Sequence, residues 1–120
     1  MNKKILIVED EKNILFVFSR LLENKGYKVI SAEDGLKGLE LAQDELPDLI
    51  LLDLVLPKLD GFKILNTLKD DENTKDIPVI IISARSDNES IEETLKAGAE
   101  NYLVKPVDRN KLLAEVDKYI

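Results

Sequence analysis

The sequence contains no cysteine and no histidine among its 120 residues. Without cysteine the chain can form neither a disulfide bond nor a thiolate metal site, which fits a reducing compartment. Without histidine it lacks the usual proton shuttle and the usual nitrogen ligand of zinc. The chemistry left to the chain is that of carboxylates, hydroxyls and ammonium groups, and the metals it can bind are hard cations such as Mg²⁺.

Basic residues and long apolar runs are also scarce. The chain has 17 Lys and Arg against 24 Asp and Glu, a formal net charge of -7, which opposes direct binding to nucleic acid because phosphates attract clustered cations. No apolar run approaches the roughly 20 residues that span a bilayer, and the first residues lead into a strand-like segment rather than a signal peptide. We therefore expect a cytoplasmic protein that binds no membrane and forms a single domain over residues 1–120.

Five short apolar runs alternate with five helical patterns along the chain. Residues 49–52 (LILL), which precede Asp53, show no polar alternation and therefore predict a strand buried on both faces. The alternation as a whole predicts an α/β fold, in which right-handed crossovers build a parallel sheet covered by helices on both sides. The other predicted strands lie within residues 5–8, 28–30, 79–82 and 102–104.

The helical patterns predict caps and one possible docking surface. Asp10 is predicted to cap a first helix from about residue 11 to residue 25, and Asp34 to cap the second. The first helix has a wide apolar arc, which includes Val17 and which we expect to pack largely on the sheet. Leu15 at the edge of the arc and Phe16 outside it are candidates for an exposed docking surface. The fourth helix, about residues 88–97, has few apolar side chains and is predicted to shift most easily.

Polar residues follow several of the predicted strands, at the sheet edge where open parallel sheets bind ligands. Carboxylates held close together need a bound cation or a raised pKa, and Mg²⁺ suits oxygen ligands. Each residue alone fits a cap, a turn or a solvated charge. Together they fit phosphoryl transfer onto a carboxylate nucleophile, with Mg²⁺ and an ammonium group neutralising the developing charge. The residues are Glu9, Asp10, Asp53 (the nucleophile), Ser83 and Lys105 (the ammonium).

Over essentially its whole length the chain resembles response regulator receiver domains, the CheY-like fold. The resemblance implies a doubly wound five-stranded parallel sheet of order 2-1-3-4-5 with five helices. It also implies a role in a two-component system or phosphorelay, with a histidine kinase or phosphotransfer protein as donor and a downstream protein target or fused output domain. The segments that carry the resemblance are Val8-Glu9-Asp10-Glu11, Asp53-Leu54-Val55-Leu56-Pro57, Asp60-Gly61, Ser83-Ala84-Arg85, Gly98-Ala99 and Tyr102-Leu103-Val104-Lys105-Pro106.

The resemblance also implies roles for the residues of the site. Asp53 would be phosphorylated, and Mg²⁺ would be bound directly by Asp10, Asp53 and the backbone carbonyl of Val55. Glu9 would act on the metal largely through water. Lys105 would contact the phosphoryl group, and its peptide bond to the following proline would be cis.

A switch is implied by the same resemblance. Ser83 would move to hydrogen-bond a phosphoryl oxygen and vacate space into which Tyr102 turns. The face made of the fourth helix, fifth strand and fifth helix would then change its affinity for partners. Val55 and Arg85 lie where the family varies the groups beside the hydrolytic water, and neither can orient that water, so we expect slow self-dephosphorylation.

Other functions and the oligomeric state remain open. A phosphate-independent interaction module would share the fold, and an Asp-nucleophile phosphatase would resemble it but carry a second Asp where this chain has Val55. A receiver would catalyse its own phosphorylation and dephosphorylation without a turnover substrate. Asn101, Lys111 and Glu115 depart from the pattern of dimer-forming receivers, so we expect a monomer or a weak phosphorylation-dependent dimer.

Overall fold

The structure is a computed structural model that describes residues 2–120, in which five parallel strands alternate with five helices. The strands pair in the order β2-β1-β3-β4-β5. The predicted α/β fold and strand order are therefore confirmed. The strands are β1 (Lys4–Val8), β2 (Lys28–Ala32), β3 (Leu49–Leu52), β4 (Val79–Ser83) and β5 (Asn101–Val104). The helices are α1 (Lys12–Asn24), α2 (Gly35–Glu45), α3 (Gly61–Asp70), α4 (Asn88–Lys96) and α5 (Arg109–Tyr119).

Each side of the sheet packs against its own set of helices, because successive strand residues point to opposite faces. Leu6 and Ile50 belong to the core shared with α2 and α3, whereas Ile5 and Leu49 belong to the core shared with α1 and α5. All residues of β3 and β4 are buried, which explains the uninterrupted apolar runs of residues 49–52 and 79–82. Within residues 2–120, no helix combines the length with the apolar composition that crossing a membrane requires.

The start of α1 differs from the sequence prediction. The helix begins at Lys12, and its N-cap residue Glu11 forms no side-chain capping hydrogen bond. The prediction that Asp10 caps this helix is wrong, because the cap position falls one residue later. Instead, the backbone N–H of Glu11 donates to Oε2 of Glu9 at 3.1 Å. The first turn of α1 is thereby tied to the residue that follows β1.

The outer face of α1 also differs from the prediction at one position. Phe18 and Leu22 are buried, and Leu15 packs partly against the same core. Val17, expected within the buried arc, is 51% exposed, and Phe16 is exposed as predicted. The apolar arc is wider than the contact with the sheet, so its edge stays in solvent.

The remaining helices begin with an aspartate whose side chain accepts hydrogen bonds from backbone N–H groups of the first turn. Each such cap stabilises the fold by about 1 kcal/mol. The predicted cap of α2 is confirmed. The capping residues are Asp34, Asp60, Asp87 and Asp108.

We expect Leu46→Gly to stabilise the protein. Leu46 ends α2 in the left-handed region at φ 46° and ψ 63°, with a side chain that is 51% exposed. A side chain in this conformation costs about 1 kcal/mol relative to glycine, and Leu46 is not among the residues that form either hydrophobic core. Thermal unfolding should show a Tm higher by about 4 °C.

The control is Glu40→Gly, at an exposed position inside the same helix. There the added backbone freedom should lower the stability by about 1 kcal/mol. Equal losses in the two variants would contradict the assignment of strain to residue 46.

Candidate functional site

The five polar residues predicted at strand ends all lie at the carboxyl edge of the sheet. Glu9 and Asp10 follow β1, Asp53 follows β3, Ser83 ends β4 and Lys105 follows β5. Parallel pairing brings them together, since strands in register end at the same edge. The last pairs of the ladder are Val8 with Leu52, Leu52 with Ile81 and Ser83 with Val104.

Three carboxylates form the acidic part of the site. Glu9, Asp10 and Asp53 each offer an oxygen, and these oxygens lie within 4.8 Å of one another. Glu9 and Asp53 are buried and Asp10 is exposed. Burial raises the pKa of Glu9, and the nearby charge of Asp53 acts in the same direction. The cluster supplies only oxygen donors and opens to solvent at Asp10, which fits a hard, partly hydrated cation such as Mg²⁺.

Lys105 forms an ion pair with each of the two buried carboxylates. Its Nζ lies 2.7 Å from Oε1 of Glu9 and 2.9 Å from Oδ2 of Asp53. Burial acts to lower the pKa of Lys105, but the hydrogen bonds to Glu9 and Asp53 outweigh it and the pKa is raised. The ammonium therefore stays charged. The peptide bond from Lys105 to Pro106 is cis, as the family resemblance implied.

Glu11 is a site residue that the sequence reasoning missed. Its Oε1 lies 3.6 Å from Nζ of Lys105, and its side chain is 61% exposed. Its position in the sequence could have indicated this role. Glu11 lies two residues after Glu9, at the start of a helix whose first turn faces the same edge of the sheet. Glu11 adds negative charge at the mouth of the site.

The backbone around Asp53 fixes the position of its carboxylate. Its N–H donates to the carbonyl of Val8 at 3.1 Å, and its Oδ1 accepts from the N–H of Val55 at 3.1 Å. A Cβ on Gly61 would lie 2.5 Å from the carbonyl oxygen of Asp53, so only glycine lets α3 begin this close. The carboxylate faces a cavity of about 190 Å³ lined by Asp10, Glu11, Asp53, Val55, Ala84 and Lys105.

Ser83 and Tyr102 are both buried, and both form hydrogen bonds with the backbone of Arg85. The Oγ of Ser83 accepts from the N–H of Arg85 at 3.2 Å. The hydroxyl of Tyr102 donates to the carbonyl of Arg85 at 2.7 Å, and the tyrosine is only 8% exposed. The ring of Tyr102 therefore already lies inside while Ser83 is still bound to the loop. Unlike threonine, serine has no methyl group that would compete with the Tyr102 ring for space.

A larger apolar groove of about 550 Å³ adjoins the site and shares Glu11, Ala84 and Lys105 with it. Val17 lines this groove, which accounts for its exposure on α1. Phe16, which the sequence marked as a docking residue, lies outside it. The other lining residues are Asn13, Ile14, Phe18, Pro106 and Val107.

Comparison with known proteins points to one family. The model of the response regulator receiver domain matches residues 5–117. The DNA-binding dual master transcriptional regulator RpaA of Synechocystis is 44% identical over 113 residues, which are 94% of this chain and 47% of RpaA. The chain thus spans about half the length of that relative. The polar-differentiation response regulator DivK of Brucella ovis is 36% identical over 120 residues, which are 100% of this chain and 98% of DivK.

A solved structure extends the likeness to three dimensions. It is the receiver domain of the sensor histidine kinase PA1611 from Pseudomonas aeruginosa, with a magnesium ion coordinated in its active site cleft. It is 31% identical, covers 99% of this chain and 98% of its own, and superposes with a TM-score of 0.90. The two chains therefore share their fold throughout.

We expect Lys105→Met to destabilise the protein in a pH-dependent way. The variant leaves Glu9 and Asp53 without their cation, and breaking a buried pair costs about 3 kcal/mol. The pKa of Glu9, already raised by burial, would rise further without the hydrogen bond from Lys105. A carboxyl group whose folded pKa lies above its unfolded value gains stability as the pH falls. The deficit relative to wild type should therefore shrink between pH 8 and pH 5.

Urea unfolding in the presence of a chelator measures this deficit. Lys37→Met is the control, because its ammonium pairs with Glu40 at 3.5 Å on the surface with side chains more than half exposed. That variant should lose little stability at either pH. A deficit in Lys105→Met that is the same at both pH values would contradict the interpretation.

Proposed function

The chain belongs to the response regulator receiver domain family of two-component signalling, and we propose that Asp53 is its phosphoacceptor. The donor is a histidine kinase or a phosphotransfer protein. The observation that carries the proposal is the buried Asp53 carboxylate, held 2.9 Å from the Lys105 ammonium at the wall of an open cavity. Residues 1–120 would form a single receiver domain that works in the cytoplasm as a switch, without a turnover substrate.

The transfer step follows from the chemistry of a carboxylate nucleophile. An oxygen of Asp53 bonds to phosphorus while the phosphorus–nitrogen bond of the phosphohistidine donor breaks, and the electron pair of that bond stays on the imidazole nitrogen. Negative charge on the phosphoryl oxygens needs a positive group within reach. Lys105 supplies one, and its pairing with Glu9 and Asp53 before the reaction holds it in place.

Mg²⁺ is the cofactor that the site fits. Asp10, Asp53 and the backbone carbonyl of Val55 would bind it directly, and Glu9 would act largely through water. The support is the cluster of three carboxylates within 4.8 Å and the magnesium ion in the PA1611 receiver domain. When bound, the ion supplies positive charge against the phosphoryl oxygens.

Two surfaces would serve the partners. The apolar groove beside Lys105 suits the donor protein, because a group bound there reaches the cavity that contains Asp53. The face made of α4, β5 and α5 suits the downstream target or a fused output domain, and it exposes the apolar side chains of Leu95 and Val104. DNA binding, as the name of RpaA records for that longer protein, is not proposed for this acidic domain.

The oligomeric state that we propose is a monomer or a weak phosphorylation-dependent dimer. Glu115 accepts from the side-chain amide of Asn101 at 2.5 Å and lies 3.6 Å from the ammonium of Lys111. These polar groups of β5 and α5 are therefore paired within one chain. A salt-bridged dimer through the same groups would have to break these contacts first.

Phosphorylation can be tested directly with acetyl phosphate. We expect intact mass measurement to show one added phosphoryl group in the presence of Mg²⁺ and none with chelator or in Asp53→Asn. Asp70→Asn, which changes an exposed aspartate at the end of α3, is the control and should behave as wild type. The absence of an adduct in wild type would instead favour the phosphate-independent interaction module.

The lifetime of the aspartyl phosphate gives a second test. Val55 lines the cavity with a side chain that is 58% exposed and cannot orient a water molecule. We expect Val55→Asn to shorten the lifetime severalfold, because an amide can hold the attacking water. Leu36→Asn, at a similarly exposed apolar position on α2, should leave it unchanged. An unaltered lifetime in Val55→Asn would refute this role for residue 55.

A further inference from the structure

Arg85, in the loop between β4 and α4, connects four parts of the molecule. Its N–H donates to Oγ of Ser83 at 3.2 Å, and its carbonyl accepts from the hydroxyl of Tyr102 at 2.7 Å. Its guanidinium carbon lies 5.6 Å from the centre of the Phe62 ring on α3. Its Nε lies 3.6 Å from Oδ1 of Asp87, the residue that caps α4. The main chain of Arg85 thus contacts both predicted switch residues, while its side chain contacts two helices.

Phe62 has a fixed position in the fold, against which the loop between β4 and α4 can pack. Phe62 packs partly against the core and lies in the first turn of α3, next to Gly61. Gly61 in turn lies against the backbone of Asp53, where a Cβ would come within 2.5 Å of the Asp53 carbonyl oxygen. The loop that holds Arg85 has no helix or strand of its own. Its position therefore depends on side-chain contacts, and the stacking of Arg85 on Phe62 links it to the helix that begins beside Asp53.

We propose that Arg85 and Phe62 are positioning residues of the switch. The cation–π contact of the guanidinium with Phe62 fixes the loop so that the Arg85 carbonyl holds Tyr102 in its buried orientation. This deepens the proposed function and rests on it, because it assigns a role to two residues of the same switch. It also revises the expectation from family resemblance that Tyr102 turns inward only after Ser83 has moved.

The consequence is that the phosphoryl group acts on Ser83 and the loop rather than on the tyrosine itself. For the Ser83 hydroxyl to reach a phosphoryl oxygen it must release the Arg85 N–H, to which it is bound at 3.2 Å. A ligand shifts an equilibrium only by its different interaction with the two states. A partner that binds the surface around Tyr102 would therefore have similar affinities for the unphosphorylated and the phosphorylated protein. A partner that binds the loop containing Arg85 would distinguish them more strongly.

The orientation of Tyr102 can be measured in the unphosphorylated protein. The chain has three tyrosines, so incorporation of 3-fluorotyrosine gives three ¹⁹F resonances, which single Tyr→Phe variants assign. The difference in resonance position between H₂O and D₂O reports the exposure of each ring. In wild type, with chelator and no phosphodonor, we expect the Tyr102 resonance to have the small solvent shift of a buried ring.

Two variants test the role of the stacked pair. Phe62→Leu keeps an apolar side chain but removes the ring, and Arg85→Met keeps an unbranched, flexible side chain but removes the guanidinium. Both should move the Tyr102 resonance toward the position and solvent shift of free 3-fluorotyrosine. Phe62→Trp, which restores an aromatic face, should return Tyr102 to its wild-type signal. A merely structural role for Phe62 would not depend on the presence of an aromatic ring.

The other two tyrosines are internal controls. Tyr27 bonds to Asp117 of α5, and Tyr119 lies near the backbone of Glu100, both away from the loop. Their resonances should stay in place in every folded variant. If Phe62→Leu moves all three resonances, it has unfolded and Arg85→Met decides the question.

The outcome separates this inference from the phosphoacceptor role of Asp53. An exposed Tyr102 in resting wild type, or a Tyr102 resonance unchanged in both variants, would overturn the positioning role. The experiment needs no phosphoryl transfer, so neither result bears on Asp53. A failure of Asp53 to take up phosphate from acetyl phosphate, with Tyr102 behaving as expected, would overturn the phosphoacceptor proposal alone.

Discussion

The site depends on one ammonium group shared by two buried carboxylates. Lys105 lies 2.7 Å from Glu9 and 2.9 Å from Asp53, and without it two like charges would have to be buried side by side. The three groups are distant in sequence and meet only because β1, β3 and β5 end at the same edge of a parallel sheet. The same pairing that neutralises the carboxylates holds the ammonium where a phosphoryl group on Asp53 would need it. The position of the Lys105 ammonium that stabilises the fold is therefore also the position that the proposed chemistry requires.

The central strand β3 is held more firmly in the fold than the helix α4. Residues of β3 are all buried, and Gly61 allows α3 to begin against the backbone of Asp53, so β3 has little freedom to move. In α4 the buried residues are Ser90 and Thr94, and the Thr94 hydroxyl bonds to carbonyls of its own helix. A helix that buries little apolar surface can shift at low cost. The rigid strand thus suits the proposed phosphoryl transfer, and the weakly anchored helix suits the proposed change of surface.

Members of this family differ in what accompanies the receiver domain. RpaA is about twice as long as this chain, whereas DivK matches it over nearly its whole length, so the same receiver fold occurs in proteins of different build. The contacts of this chain that bear on partner binding lie on its surface and in its loops. They include the apolar groove lined by Val17, the pairing of Asn101 with Glu115 and the stacking of Arg85 on Phe62. Under the proposed function, partner choice and the strength of the switch would depend on such contacts rather than on the fold.

The sequence alone was enough to predict the order of strands and helices, because apolar periodicity is local. Turn chemistry likewise predicted the cap at Asp34, and the parallel topology predicted that the five polar strand-end residues lie at one edge of the sheet. The predicted cap of α1 is wrong by one residue, since the N-cap is Glu11 rather than Asp10. Three features could be seen only in the tertiary structure: the exposure of Val17, the ion pair between Glu11 and Lys105, and the burial of Tyr102. These features depend on distances between segments far apart in the chain, such as Phe62 and Arg85. No local pattern contains those distances, because packing sets them.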